Sequence, residues 1–249
     1  MTVDLELLIL TAASIGFVHT LLGPDHYLPF VAMGAARKWS MRRTLSITAL
    51  CGVGHVLGSV LLGTVGILLG VAVGHLEWIE GLRGDVAAWL LIGFGLAYLA
   101  WGVRRALRSQ PHTHAHAHVD GTRHEHAHGH LAEHSHVHDL PVIRLDDPRA
   151  SKPSLPSLTP WALFLIFVLG PCEPLIPLLM YPAAQHSVLG TVAVVAAFGA
   201  ATIATMLAVV WIASRGLSHL PGEALGRWSH AMAGAAVSVC GLSIVFLGL

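Results

Sequence analysis

Six stretches of about 20 or more mostly apolar residues leave this chain little choice but helices that cross a bilayer, because lipid offers no partner to an unpaired backbone group. They run approximately from Leu5 to Ala35, Leu45 to Val73, Val86 to Leu107, Thr159 to Tyr181, Val188 to Ser214 and Trp228 to Leu249. Composition agrees: the chain is 54% hydrophobic and 11% charged, with a mean hydropathy of +0.67. Fourteen Lys and Arg offset fourteen Asp and Glu, so no basic field points to nucleic acid and lipid is the one partner that composition implies. Cys51, Cys172 and Cys240 all lie in apolar surroundings, which argues against a disulfide framework. The N-terminal segment carries Asp4 and Glu6 in place of a basic leader, so the first apolar run is expected to be a retained helix.

Charge gives an orientation. Arg37, Lys38, Arg42 and Arg43 follow the first span, Arg104, Arg105 and Arg108 the third, and Arg215 and Arg227 flank the loop after the fifth. The opposite side holds Arg83 among Glu77, Glu80 and Asp85, which reads as a loop between the second and third spans. The positive-inside rule then puts both termini outside and the long central segment in the cytoplasm. Trp39, Trp101, Trp161, Trp211 and Trp228 stand at span ends, where an indole keeps one wet edge.

One internal offset recurs. Leu22, Gly23 and Pro24 reappear as Leu169, Gly170 and Pro171; under the same shift Asp25 faces Cys172, His26 faces Glu173, Gly52 faces Gly199 and His55 faces Thr202. Each copy holds three spans, an odd number, so the second enters the membrane from the other side. The expected fold is an all-α polytopic membrane protein with six transmembrane helices in two inverted three-helix repeats, each broken in its first span. Residues 1–107 form the first repeat, 108–158 a disordered His-rich segment, and 159–249 the second repeat.

The candidate chemistry lies in "FVHTLLGPDHYLPF". Asp25 alone would cost about 2.5–3.5 kcal/mol at a helix centre, so it needs a partner or a role. His19 and His26, seven residues apart, would be separated by about 10 Å of rise in a regular helix. Pro24 cannot donate a helical hydrogen bond, and a break at Gly23 and Pro24 could fold His19 toward Asp25 and His26. His55, in "GVGHVLGS", stands where Gly52, Gly54 and Gly58 admit a neighbouring backbone; it either completes the site or hydrogen-bonds that neighbour. The second copy brings Cys172 and Glu173 in "GPCEPLIPL", again at a break, Gly170 and Pro171. Imidazole with carboxylate suits nickel, cobalt or zinc. Gly66, Gly70 and Gly74 read as a helix-packing stripe.

Between the third and fourth spans, histidine alternates with Ala, Thr, Gly and Glu. His112, His114, His116 and His118 form one run, His124, His126, His128 and His130 a second, and His134, His136 and His138 a third. Such a segment needs no packed core, and its imidazoles could capture a borderline metal.

With "HTLLGPDH", "GVGHVLGS" and the His-rich segment, the chain resembles the nickel/cobalt transporter superfamily, which includes nickel and cobalt efflux proteins and urease-accessory-type membrane proteins. Five residues separate His19 from Asp25, where that family's signature has four. The resemblance implies transport of a divalent first-row cation, nickel or cobalt foremost, with no prosthetic group, in a prokaryotic inner membrane, and a cytoplasmic metal chaperone as candidate partner. "GPCEPLIPL" is similar to the cysteine segments of six-span thiol-reductant conduits, which makes electron relay through Cys172 the alternative function. A likeness to sulfite exporters is more distant. No nucleophile and base pair suited to hydrolysis stands out, so no enzyme activity is expected.

Overall fold

The computed structural model describes residues 2–108, 112–117, 123–128, 158–172, 174–185, 187–217 and 226–247. Helix α1 (Thr2–Leu22) ends at Gly23; a single 3-10 turn (Pro24–His26) follows, and α2 (Leu28–Ala36) resumes. Ser40 then caps α3 (Met41–Leu68), accepting the amide of Arg43 on its hydroxyl at 3.3 Å. Helix α4 (Val73–Arg108) returns. After the His-rich segment come α5 (Leu158–Leu169), a second interruption, α6 (Leu175–Ala184), α7 (Val188–Leu217) and α8 (Ser229–Leu247).

Among the described residues five helices are long and apolar enough to cross a membrane: α1, α3, α4, α7 and α8. At 1.5 Å per residue, α5 and α6 are only about 18 Å and 15 Å long, too short to span about 30 Å singly. Leucine, valine, tryptophan and phenylalanine side chains cover much of the outer surface, Leu61, Leu68, Trp89, Val188 and Phe246 among them. The hydrophobic effect would oppose that in water, so the architecture is consistent with a helical membrane protein.

Two parts of the sequence reading change. The charged stretch before Val86 is no loop: α4 begins thirteen residues earlier and runs through it. Leu76, Glu80, Gly84, Ala87, Ala88 and Leu91 are buried at helical spacing, so the inward face continues straight across the acidic cluster. Two stretches of the His-rich segment also take up regular structure, where the composition suggested none. Strands β1 (His112–Ala117) and β2 (Arg123–His128) pair antiparallel, with position 112 opposite 128, 114 opposite 126 and 116 opposite 124. Strict alternation of period two is what a pleated strand requires. His118, His130, His134, His136 and His138 lie outside the described residues.

Packing pairs the elements crosswise. Helix α1 lies on α7 and α5 on α3; α2 contacts α8 and α6 contacts α4; α3 crosses α7 and α4 runs along α8. The α3/α7 crossing is reciprocal. A methyl on Gly52 would sit 3.1 Å from the Met206 sulfur, and one on Gly199 would sit 3.2 Å from Val56. The α4/α8 seam is closer still, for a methyl on Gly234 would meet the backbone of Leu99 and lie 2.8 Å from the Gly95 carbonyl oxygen. The stripe expected at Gly66, Gly70 and Gly74 divides into different roles. Gly66 faces Leu76, Gly74 has nothing within 4 Å, and Gly70 ends α3 at φ +66°. Around Gly70 the amide of Val71 reaches the Gly66 carbonyl at 2.9 Å, the bond of a helix-terminating left-handed turn.

Arginines stack on the span-end indoles: Arg43 on Trp39, Arg105 on Trp101, Arg215 on Trp211 and Arg227 on Trp228, at 4.5–5.6 Å from ring centre. Such pairs suit a membrane surface, where the ring is in lipid and the guanidinium in water.

Gly234→Ile is expected to lower the midpoint of thermal unfolding in detergent by several degrees, since overpacking a close seam costs about 1–3 kcal/mol. Gly74→Ile, with open space around it, is expected to leave the midpoint within a degree or two; equal effects would refute the seam's importance.

Candidate metal centre

The first interruption builds the site. Gly23 donates to the His19 carbonyl at 3.0 Å, the last helical bond of α1. Its backbone then turns to φ −87°, ψ 97°, and Pro24, lacking an N–H, starts the 3-10 turn. The turn reverses what a straight helix would impose. His19 and His26 come together with ring centres 4.8 Å apart, edge to face. Asp25 and His26 fold back over Gly23: a methyl there would lie 2.6 Å from His26 Nδ1 and 2.8 Å from Asp25 Oδ1, so only glycine fits beneath them.

His55 enters from α3, its ring 5.1 Å from that of His26. Among the described residues His19, His26 and His55 form the one group of three or more potential metal ligands, each offering a ring nitrogen within 4.8 Å of the other two. Tetrahedral coordination with bonds of about 2.0–2.1 Å needs nitrogens about 3.4 Å apart, a contraction that small side-chain rotations supply.

Hydrogen bonds set which nitrogen faces inward. His26 Nδ1 lies 3.1 Å from Asp25 Oδ1 and 3.2 Å from the Gly23 carbonyl oxygen, both acceptors. His55 Nδ1 lies 3.3 Å from the Phe167 carbonyl oxygen. With acceptors at Nδ1, the proton belongs there and Nε2 keeps a free lone pair, the arrangement that metal-binding imidazoles use. The Nε2 atoms of His19, His26 and His55 are all buried without a hydrogen-bond partner. Each unsatisfied buried polar atom costs about 1–3 kcal/mol, and these three belong to the histidines that group within ligand distance of one another.

The geometry sorts the candidates. Asp25, 22% exposed, supports His26 from behind and lies outside the three-nitrogen group. Together with His55, Gly170 and Pro171 it lines a small cavity of about 30 Å³, room for about two waters, which extends to Gly84 on α4. The second interruption reaches the centre through its backbone: Phe167 holds His55, and a methyl on Gly170 would be 3.3 Å from His55 Nδ1. Cys172 is fully buried in an apolar cluster with Ala12, Val56, Leu175 and Phe198 and does not join the three histidines. Glu173 lies outside the described residues. Thr202, the counterpart of His55, is buried with an unpartnered hydroxyl near Gly16.

Two residues that the sequence reading treated only as loop charges, Glu80 and Arg83, form an ion pair on α4. Glu80 is fully buried, and its Oε1 pairs with Arg83 Nη1 at 2.6 Å. Their signal was the uninterrupted helical spacing of Leu76, Glu80, Gly84 and Ala87, masked by the surrounding charges.

Compared with models of protein families, with curated proteins and with solved structures, the chain matches none.

Cobalt titration of the detergent-solubilised protein, followed by visible absorption, tests the centre. His26→Ala is expected to abolish the component contributed by the three histidines, and the difference spectrum separates it from binding by the His-rich segment. Asp25→Asn is expected to weaken that component about 10–100-fold by disturbing the His26 tautomer. An unchanged spectrum in His26→Ala would rule the centre out.

Proposed function

We propose that this chain carries a divalent first-row transition-metal cation across a membrane, nickel or cobalt foremost and zinc as a third candidate. The observation that supports it is the grouping, at a helix interruption, of three histidines that each carry a buried, unpartnered ring nitrogen. Three neutral nitrogens can replace part of a cation's hydration shell, and ligands of this kind suit nickel, cobalt and zinc better than magnesium or calcium. The likeness of "HTLLGPDH" and "GVGHVLGS" to the nickel/cobalt transporter superfamily points the same way.

In this reading the molecule is a six-span transporter of two inverted three-helix repeats, α1–α4 and α5–α8, with α1/α2 and α5/α6 as the broken first spans. The crosswise packing supports it: exchanging the halves turns α1 on α7 into α5 on α3, and α2 on α8 into α6 on α4. Broken helices meeting near mid-membrane are the usual setting of transporter sites. Rocking of one repeat against the other would expose the histidines alternately. Asp25 would take up a proton as the ion leaves, coupling metal to proton movement. The arginine-rich side faces the cytoplasm of a prokaryotic cell, both termini lie outside, and the His-rich segment meets metal, or a metal chaperone, on the cytoplasmic side. An inside-negative potential favours entry of a divalent cation by about 4.6 kcal/mol per 100 mV, so export needs such coupling.

Electron relay draws no support from the arrangement of thiols. Cys172 sits in one apolar cluster and Cys51 with Cys240 in another, all free and buried.

In vesicles of known orientation, nickel and cobalt flux is expected to fall at least tenfold in His26→Ala and substantially in Asp25→Asn. Wild-type flux in both would sink the proposal. Removing residues 112–138 is expected to shift the concentration dependence of transport while leaving the maximal rate within about twofold; loss of all flux would instead place the His-rich segment in the permeation path.

A further inference from the structure

The charged pair on α4 has no part in holding the three histidines, yet beyond its own contact one atom of each partner, Arg83 Nη2 and Glu80 Oε2, bonds backbone groups of the second interruption. Arg83 Nη2 donates to the Val168 carbonyl at 2.8 Å and reaches the Gly170 carbonyl at 3.5 Å. Glu80 Oε2 accepts the amide of Cys172 at 3.3 Å. The guanidinium thus meets carbonyls released at the end of α5, while the carboxylate meets an amide on the far side of Pro171. Neither could serve the other's partners, since a carboxylate repels a carbonyl oxygen and a guanidinium has no acceptor.

Neighbouring residues leave room for this arrangement. A methyl on Gly58 of α3 would lie 2.8 Å from both Arg83 Nη2 and the Val168 oxygen, and one on Gly84 would lie 2.7 Å from the Pro171 ring. Gly84, Gly170 and Pro171 also line the cavity that contains Asp25 and His55. The clasped segment thus lines the same cavity as Asp25 and His55, and on α4 it meets Glu80, Arg83 and Gly84, in the first half of a helix whose last turns carry Arg104, Arg105 and Arg108.

We propose that Glu80 and Arg83 are positioning residues that latch the α5–α6 interruption shut, and that releasing this latch opens the metal's route on the side remote from the arginines. The assignment rests on the transport reading above. Arg83→Lys keeps the charge but loses the planar fork that spans two carbonyls and a carboxylate. The reversed pair Glu80→Arg/Arg83→Glu keeps an ion pair but turns a carboxylate toward Val168 and Gly170.

Cys172 is the built-in reporter, because its own amide is one of the latched groups and its side chain is fully buried. In full-length protein carrying Cys51→Ala and Cys240→Ala, Cys172 is the sole thiol, and a charged, membrane-impermeant maleimide is applied to vesicles from each side in turn. Arg83→Lys and the reversed pair are each expected to raise labelling at least tenfold, from the α4-start side alone. Gly84→Ala, which leaves both charged residues intact but wedges Pro171, is expected to act in the same direction and decides the matter if the charge variants do not fold. Nickel flux in Arg83→Lys is expected to change at least fivefold while cobalt affinity stays within twofold. Background labelling in Arg83→Lys and Gly84→Ala overturns the latch, as does wild-type behaviour of the reversed pair, which would show that the ion pair matters only as an ion pair. Failure of the unsubstituted protein to move nickel would count against the transport reading and leave the labelling comparison to judge the latch.

Discussion

A helix interrupted in an apolar interior leaves backbone groups that must find partners within the protein, and the centre of this molecule is organised around meeting that requirement twice. At the first interruption the Gly23 carbonyl accepts from the His26 amide at 3.1 Å and faces the His26 ring at 3.2 Å. At the second, Phe167 faces His55 while Val168, Gly170 and Cys172 turn to Arg83 and Glu80. The groups that satisfy the breaks therefore include two of the three clustered histidines, His26 and His55. An uninterrupted helix would have needed none of them.

The two interruptions differ in what they contribute. Asp25 and His26 on the first break have Cys172 and Glu173 as sequence counterparts, and of these Cys172 turns into an apolar cluster. The second break instead supplies a carbonyl that orients His55, a residue of the first half. A buried ion pair in place of apolar side chains is no route to stability, because desolvating two charges offsets their attraction. Its presence at Glu80 and Arg83 is better explained by the backbone groups it holds, which apolar residues could not.

Much of the fold was legible in the sequence because apolar length and proline carry it. Gly23-Pro24 and Gly170-Pro171 located both interruptions, since proline cannot continue the hydrogen-bond ladder whatever surrounds it. The ends of α3 and α4 were less legible. Val73 to Asp85 looks like a loop by charge, yet Leu76, Glu80 and Gly84 share the buried face of α4, and the ion pair hides the charge that argued for exposure. The strands at 112–117 and 123–128 went unforeseen because an alternation of period two specifies an extended chain but not the partner with which it pairs.

For the centre, the sequence by itself determined which residues were available: ionisable groups in an apolar span, a break between two of them, and a third histidine among glycines. Only the tertiary structure decided their arrangement. Ring nitrogens of His19, His26 and His55 converge, Asp25 stands behind His26, and Cys172 turns away, because the 3-10 turn and the α3/α5 contact fix directions that spacing along a chain cannot specify. Glu80 and Arg83 show the same division: one turn of a helix made them neighbours, but their partners lie more than eighty residues away, brought there by packing alone.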